Sequence, residues 1–381
     1  MNDVHSRLAR RLDGLPQGYP ATESGVEVRI LRKIFSPEDA AWALRLKPLP
    51  ETAATIARRL RLPVEEVRAQ LDRMADRGQI ASFWFKDRHC YALAPFVVGI
   101  WEFQLNHMDR ELAALFEEYA PTLLRTLGGS APALARVIPV NRRLSAQAQV
   151  LPYEDLRTLL GDARAFRVAD CLCRTERALQ GHPCSHPIET CLSFSREEHA
   201  YENVPEWGRP ISRDEAFRLL DDVEREGLVH CTYNVQREPM FLCNCCSCCC
   251  GFLRSLNEFQ APYMLAHSSL RAEIAEDGCT ACGECASGRC PVGAIAEREG
   301  AYRVDGERCI GCGVCAVACP ADAIALVARP PAEVPEPPRH VIQWHLDRAT
   351  QRQGALRGLA LRGWLTWEGL KMAAAQRRER G

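Results

Sequence analysis

The chain has 381 residues, a formal net charge of −1 and ordinary hydrophobic and charged fractions. That is enough for two or three domains, each with its own core, and gives no global sign of nucleic-acid binding. Met1 to Pro20 is interrupted by Arg7, Arg10, Arg11 and Asp13 and lacks the apolar run of a secretory signal, and the longest apolar run, Ala94 to Trp101, is too short to span a bilayer. Twenty cysteines without a secretory signal read as thiolate metal ligands in a reducing compartment, so the cytoplasm is the expected location.

After a short amphipathic stretch (Val4, Leu8, Leu12, Leu15), residues 27–100 carry helical periodicity. Ser36, as N-cap, and Pro37 open a helix running to Leu46; Thr52 to Leu60 forms a second. Val64 to Ala75 forms a third, with Val64, Val67, Leu71 and Met74 on one face and Gly78 as its stop. Ile80 to Leu93 then alternates like two strands around Lys86-Asp87-Arg88. Three helices and a two-stranded wing resemble a winged helix of the MarR-like and Lrp-like kind. That resemblance implies DNA binding by the third helix. Its charges, however, are mixed (Glu65, Glu66, Arg68, Asp72, Arg73, Asp76, Arg77), and the wing adds only Lys86 and Arg88. The pattern argues against nucleic acid and for a packing module. Cys90, alone in the wing, reads as a buried structural thiol.

Residues 101–165 read as a helical connector, with Met108 to Ala120 one amphipathic helix and Tyr153 to Leu160 another. Residues 166–270 are cysteine-rich. Cys171, Cys173, Cys184 and Cys191 come first, then a helix from Ser212 to Glu226 with a Ser212/Glu215 capping box, then the run Cys243, Cys245, Cys246, Cys248, Cys249 and Cys250. Six thiols in eight residues repel and oxidise unless a metal neutralises them. Adjacent residues of an extended chain face opposite sides, so the six cannot all face one centre. Cys171, Cys173, Cys184 and Cys191 could close one site and pairs from the run another. An iron–sulfur cluster, cubane or non-cubane, is the favoured occupant of such a third centre, with zinc and then redox-active thiols behind it. His182 and His186 flank Cys184 but read as solvated loop residues; Arg174 and Arg177 could offset cluster charge.

Residues 271–328 carry Cys279-x2-Cys282-x2-Cys285-x4-Cys290-Pro291 and Cys309-x2-Cys312-x2-Cys315-x3-Cys319-Pro320. The runs repeat one another, Cys-Pro-Val-Gly-Ala-Ile being echoed by Cys-Pro-Ala-Asp-Ala-Ile. They resemble the bacterial two-cluster 4Fe–4S ferredoxins, with one departure: four residues, not three, separate Cys285 from Cys290. The resemblance implies crossed ligation of two 4Fe–4S clusters. Cys279, Cys282, Cys285 and Cys319 would hold one, and Cys309, Cys312, Cys315 and Cys290 the other. Ala294 to Val304 reads as a hairpin between the runs, and Gly283, Gly311 and Gly313 would let backbone approach the clusters. Together with residues 166–270, the region resembles uncharacterised bacterial and archaeal iron–sulfur proteins ending in a ferredoxin domain.

Residues 329–339 hold a proline-rich linker. Residues 340–381 form a basic tail whose Leu356, Ala360, Trp364 and Trp367 share a helical face; from Val341 on, eight Lys or Arg oppose three Asp or Glu. It reads as a surface for docking a partner, then a membrane, and otherwise as a frayed, solvated tail. The expected fold is α+β and multi-domain: a winged-helix-like N-terminal domain, a cysteine-rich middle domain, and a ferredoxin-like domain with a helical tail. The expected function is electron transfer to or from a redox partner protein, ahead of a redox-sensing regulator or a reductase with a catalytic middle centre.

Overall fold

The computed structural model describes residues 3–379 except 86, 141–149, 203 and 206, with side chains as far as 368. Lys86 of the wing turn and part of the expected connector thus lie outside the described residues.

Helices α1 (Val4–Asp13), α2 (Val26–Ile34), α3 (Pro37–Ala43), α4 (Ala53–Leu60) and α5 (Val64–Asp76) precede the hairpin β1 (Ala81–Phe85) and β2 (Arg88–Ala92). Side chains of Asp3, Ser36 and Thr52 each accept the backbone N–H three residues on, which fixes the starts of α1, α3 and α4. Leu8, Leu12, Val67, Leu71 and Met74 are buried in one core with α6 (Arg110–Gly128). The hairpin leans on the middle of the chain: Trp84 donates its indole N–H to the Glu202 carbonyl at 2.7 Å and stacks on His89.

The connector departs from expectation. Asp109 caps α6 by accepting the Leu112 N–H, and α7 (Leu156–Gly161) is helical, but Ala135–Ile138 between them is a strand, β3. All four of its residues are buried. A strand buried on both faces loses the alternation that would mark it in sequence.

The chain continues through β4 (Ala165–Asp170), α8 (Leu172–Leu179), β5 (Glu189–Ser195), β6 (Arg209–Ile211), α9 (Arg213–Arg225), β7 (Val229–Tyr233), β8 (Phe241–Cys245), α10 (Gly251–Asn257) and β9 (Leu265–Ala266). Seven strands join in one sheet, ordered β6-β4-β5-β8-β7-β3-β9; every pairing is antiparallel except β3 with β9. On one face Phe166, Leu192 and Leu242 pack with Ala216, Leu220 and Val223 of α9. On the other, Val137, Val229, Cys231 and Cys245 share a core with Leu253 of α10 and with the segment that follows. That segment holds β10 (Leu270–Ile274), the hairpin β11 (Ile295–Arg298) and β12 (Ala301–Val304), α11 (Val314–Ala318) and β13 (Ile324–Ala328), with β10 and β13 paired antiparallel.

The last helices are α12 (Val341–Gln353) and α13 (Ala355–Glu379). Trp344 of α12 is fully buried, donates to the Ala133 carbonyl at 2.8 Å and meets Tyr233 edge-on. Arg348 donates to the carbonyls of Ser130, Pro132, Thr126 and Leu127. The first half of the tail therefore docks on its own chain. Among the described residues, no helix is long and apolar enough to cross a membrane.

Candidate metal centres

The two ferredoxin-type runs line two hollows. Cys279, Cys282 and Cys285 line one together with Cys319. Cys309, Cys312 and Cys315 line the other together with Cys290. Each triplet thus meets the fourth cysteine of the other run. The backbone follows a matching rule in both halves: Ala281, Gly283 and Gly293 adopt positive φ, as do Gly311, Gly313 and Asp322. Ala294 donates its N–H to Cys290 Sγ at 3.1 Å and Ala323 donates to Cys319 Sγ at 3.3 Å, each four residues beyond its acceptor. Ala272 adds an N–H to Cys309 Sγ at 3.5 Å. Four thiols around an apolar hollow, with N–H donors on sulfur, fit a cubane: the donors offset thiolate charge and raise the potential. The extra residue before Cys290 is taken up in the turn at Ser287 and Gly288, whose φ is +78°.

A second group of thiols lies on the central sheet. Cys231 of β7 is in register with Cys243 of β8, and the β5–β8 pairing of Leu192 with Leu242 carries Cys191 to the other side of Cys243. Three strands therefore present a row of thiols on one face, with Cys245 two residues along. Cys171, at the end of β4, bonds Cys173; Cys173 reaches Cys250 at the start of α10; and Cys250 meets Cys245 at 3.0 Å. Cys245 contacts Cys231 and Cys243, and Cys243 contacts Cys191. Cys171 donates to Cys173 and Cys191 to Cys243, and these bonds, then burial, hold both thiols well above the ordinary thiol pKa. Without a cation these thiols stay protonated.

The remaining four, Cys184, Cys246, Cys248 and Cys249, converge separately, all their sulfurs within 4.8 Å of one another. The grouping of Cys184 with Cys171, Cys173 and Cys191 is therefore not what the chain adopts. Cys184 sits on the loop between α8 and β5, and the reversal of direction after β8 carries Cys246 to the α9 side while Cys245 stays on the other. Arg174, 1% exposed, stands between the two groups. It donates to the Pro187 and Asn244 carbonyls at 2.7 and 2.8 Å and to Thr190 Oγ1 at 2.6 Å. Burial opposes its charge, yet Cys171, Cys246 and Cys245 hold its pKa above the ordinary value. His186 faces Glu226 at 3.9 Å, and Cys90 is buried, with burial raising its thiol pKa.

Sequence reasoning missed Cys231. Its only signal was its place in an apolar alternating stretch that pairs with the start of the cysteine run.

The chain carries a 4Fe-4S binding domain, whose family model matches residues 302–325. It is similar to component A of hydrogenase-4 from Escherichia coli K12, 34% identical over 94 residues, 24% of this chain and 46% of that protein. It is also similar to an uncharacterised ferredoxin of Methanocaldococcus jannaschii, 55% identical over 40 residues, 10% of this chain and 26% of the ferredoxin. The electron transport protein HydN of Escherichia coli K12 is 54% identical over 41 residues, 11% of this chain and 23% of HydN. The chain spans less than half the length of each of these relatives. No solved structure matches it.

Proposed function

We propose that this protein transfers electrons between a partner oxidoreductase and a buried iron–sulfur centre on its central sheet, through two 4Fe–4S clusters in the C-terminal region. A cluster held by such thiolates takes up or gives up one electron at a time. The observation that carries the reading is the shared core of Cys231, Cys245 and Cys250 with Cys309, Cys312 and Cys315. The Val140 N–H meets the Cys312 carbonyl at 2.9 Å, and Cys312 is near enough to Cys231 to help raise its thiol pKa. The sheet thiols and one ferredoxin site thus share a dry interior, where short separation and exclusion of water favour electron transfer.

The other ferredoxin site faces outward: Cys282 is exposed, which suits a partner's approach. Exposed Leu356, Leu359 and Trp367 support docking of a partner on α13. The relatives' own names, an electron transport protein and a hydrogenase component, support an oxidoreductase as that partner. The five helices and hairpin at the N-terminus serve as a packing module: Glu65 pairs with Arg68 on α5, and Asp39 with Arg77 at its C-terminal end, so this helix offers little excess positive charge to phosphate. Twenty free thiols suit the cytoplasm.

The test is iron and acid-labile sulfide per chain on anaerobically purified protein. About twelve of each is the expected result, four for each of three centres. About eight would remove the sheet centre from the reading, and none would overturn it entirely.

A further inference from the structure

We propose that Cys184, Cys246, Cys248 and Cys249 hold a single zinc ion, a centre distinct in kind from the iron–sulfur sites on the other face of the sheet. Cys184 Sγ lies 3.7 Å from Cys246 Sγ and 3.4 Å from Cys248 Sγ, and Cys248 Sγ lies 3.7 Å from Cys249 Sγ. Zinc bound tetrahedrally at about 2.3 Å puts neighbouring thiolate sulfurs about 3.8 Å apart. A cubane places each thiolate on a different iron, and its four thiolates stand about 6 Å apart; on the sheet, Cys245 and Cys250 at 3.0 Å would therefore not both serve one cubane, which has five further thiols there to draw on. The ferredoxin cysteines line two hollows, whereas the sulfurs of these four all lie within 4.8 Å of one another, too close for the corners of a cubane.

Charge gives an independent reason. Four thiolates around a divalent cation carry a net charge of −2, and a buried anion of that size needs a cation nearby. Arg174 is almost completely buried, donates to three neutral oxygens and also bonds Cys246. Such a guanidinium needs a negative partner as much as the thiolate site needs a positive one. Binding replaces thiol protons with the ion and releases them to solvent, so no electron is exchanged.

Zinc fits better than a lone ferrous ion because divalent affinity at a thiolate site rises from iron to zinc. The site also has a structural task. The loop from Gly181 to Ile188 is mostly exposed and contributes no buried residue of its own; a four-thiol clip would fasten it to the turn that follows β8. Cys248 is exposed, leaving the ion a path from solvent.

The proposal is tested on full-length, anaerobically purified protein. Zinc, iron and sulfide are measured together for the wild type, Cys248→Ser, Cys184→Ser and Cys248→His. About one zinc per chain is expected in the wild type and in Cys248→His, since three cysteines and one histidine also hold zinc. In the serine variants zinc should fall about tenfold with iron and sulfide unchanged. Zinc X-ray absorption on the wild type should show four sulfurs at about 2.3 Å, and it decides the matter even where a variant fails to fold. A wild type that carries its iron but no zinc overturns the proposal. So does zinc undiminished in both serine variants, loss of iron on Cys248→Ser, or a zinc ligand shell other than four sulfurs. Iron and sulfide from the same wild-type sample test the electron-transfer reading separately, so either can fail without the other.

Discussion

At the scale of single residues, the chemistry turns on where sulfurs point and what donates to them. The crossed pairing of the ferredoxin runs makes a non-additive prediction. Cys319→Ser and Cys279→Ser line one cavity, so each alone, and both together, should cost the same four or so irons. Cys319→Ser combined with Cys309→Ser, which lines the other cavity, should cost about eight. Iron analysis of the three singles and two doubles reads this directly; an eight-iron loss from the 279/319 pair would uncross the assignment. Gly311 is a second test. Its φ is +71°, and a Cβ there would stand 2.1 Å from the Leu270 carbonyl oxygen and 2.2 Å from Ser268 Oγ. Backbone cannot yield as a flexible side chain does, so Gly311→Ala should cost roughly 1–3 kcal/mol and empty the adjacent site first. Loss of iron–sulfur absorbance on mild heating would report it.

At the scale of elements, the sheet brings distant cysteines together, and a buried ion pair ties it to the ferredoxin region. Arg136 of β3 meets Glu154 at 2.5 Å, both side chains almost fully buried, and Glu154 also accepts the Ser269 N–H at 3.0 Å and its hydroxyl at 2.5 Å. Removing one partner strands the other charge in the interior. Glu154→Ala should therefore destabilise the protein by about 3–5 kcal/mol, whereas replacing both residues with apolar ones should cost far less. Denaturant unfolding of the anaerobic protein compares the two; equal losses would argue that the pair merely fills space. This anchor could not be read from sequence, because nothing in Ala-Arg-Val-Ile distinguishes a buried strand from a helical turn. The starts of α3, α4 and α9 could be read, because their caps are local bonds between residues three apart.

At the scale of the molecule, the C-terminal helix α12 acts as a strap. Trp344 fills a pocket between the α6 exit and Tyr233, and Arg352 pairs with Asp13 of α1. Trp344→Ala should cost about 3–5 kcal/mol, with a matching fall in thermal midpoint. An unchanged midpoint would make the tail an independent appendage. The whole molecule also carries a pH signature. Burial holds His267 and His345 down at about 4, against an ordinary value of 6.5. The unfolded chain takes up those protons first, so the stability they confer is complete above about pH 6.5 and is lost as pH falls toward about 4. Each contributes a slope of up to about 1.4 kcal/mol per pH unit in that window. Unfolding midpoints between about pH 7 and pH 5 should fall on acidification, less steeply in His345→Phe; an unaltered slope in that variant would count against the burial of this ring.

The sequence by itself determined the ferredoxin-type sites, since a cubane is held by short, fixed spacings that leave their mark on the linear chain. It also determined that the run Cys243 to Cys250 must divide, because successive residues of a strand face opposite sides. Only the tertiary structure decided how it divides. Cys231 joins the group through strand register, Cys184 leaves its sequence neighbours for the turn after β8, and Arg174 comes to stand between the two groups. These partners lie 12 to 70 residues apart in the chain, and pairing at that range is set by the sheet's long-range order, which no local pattern records.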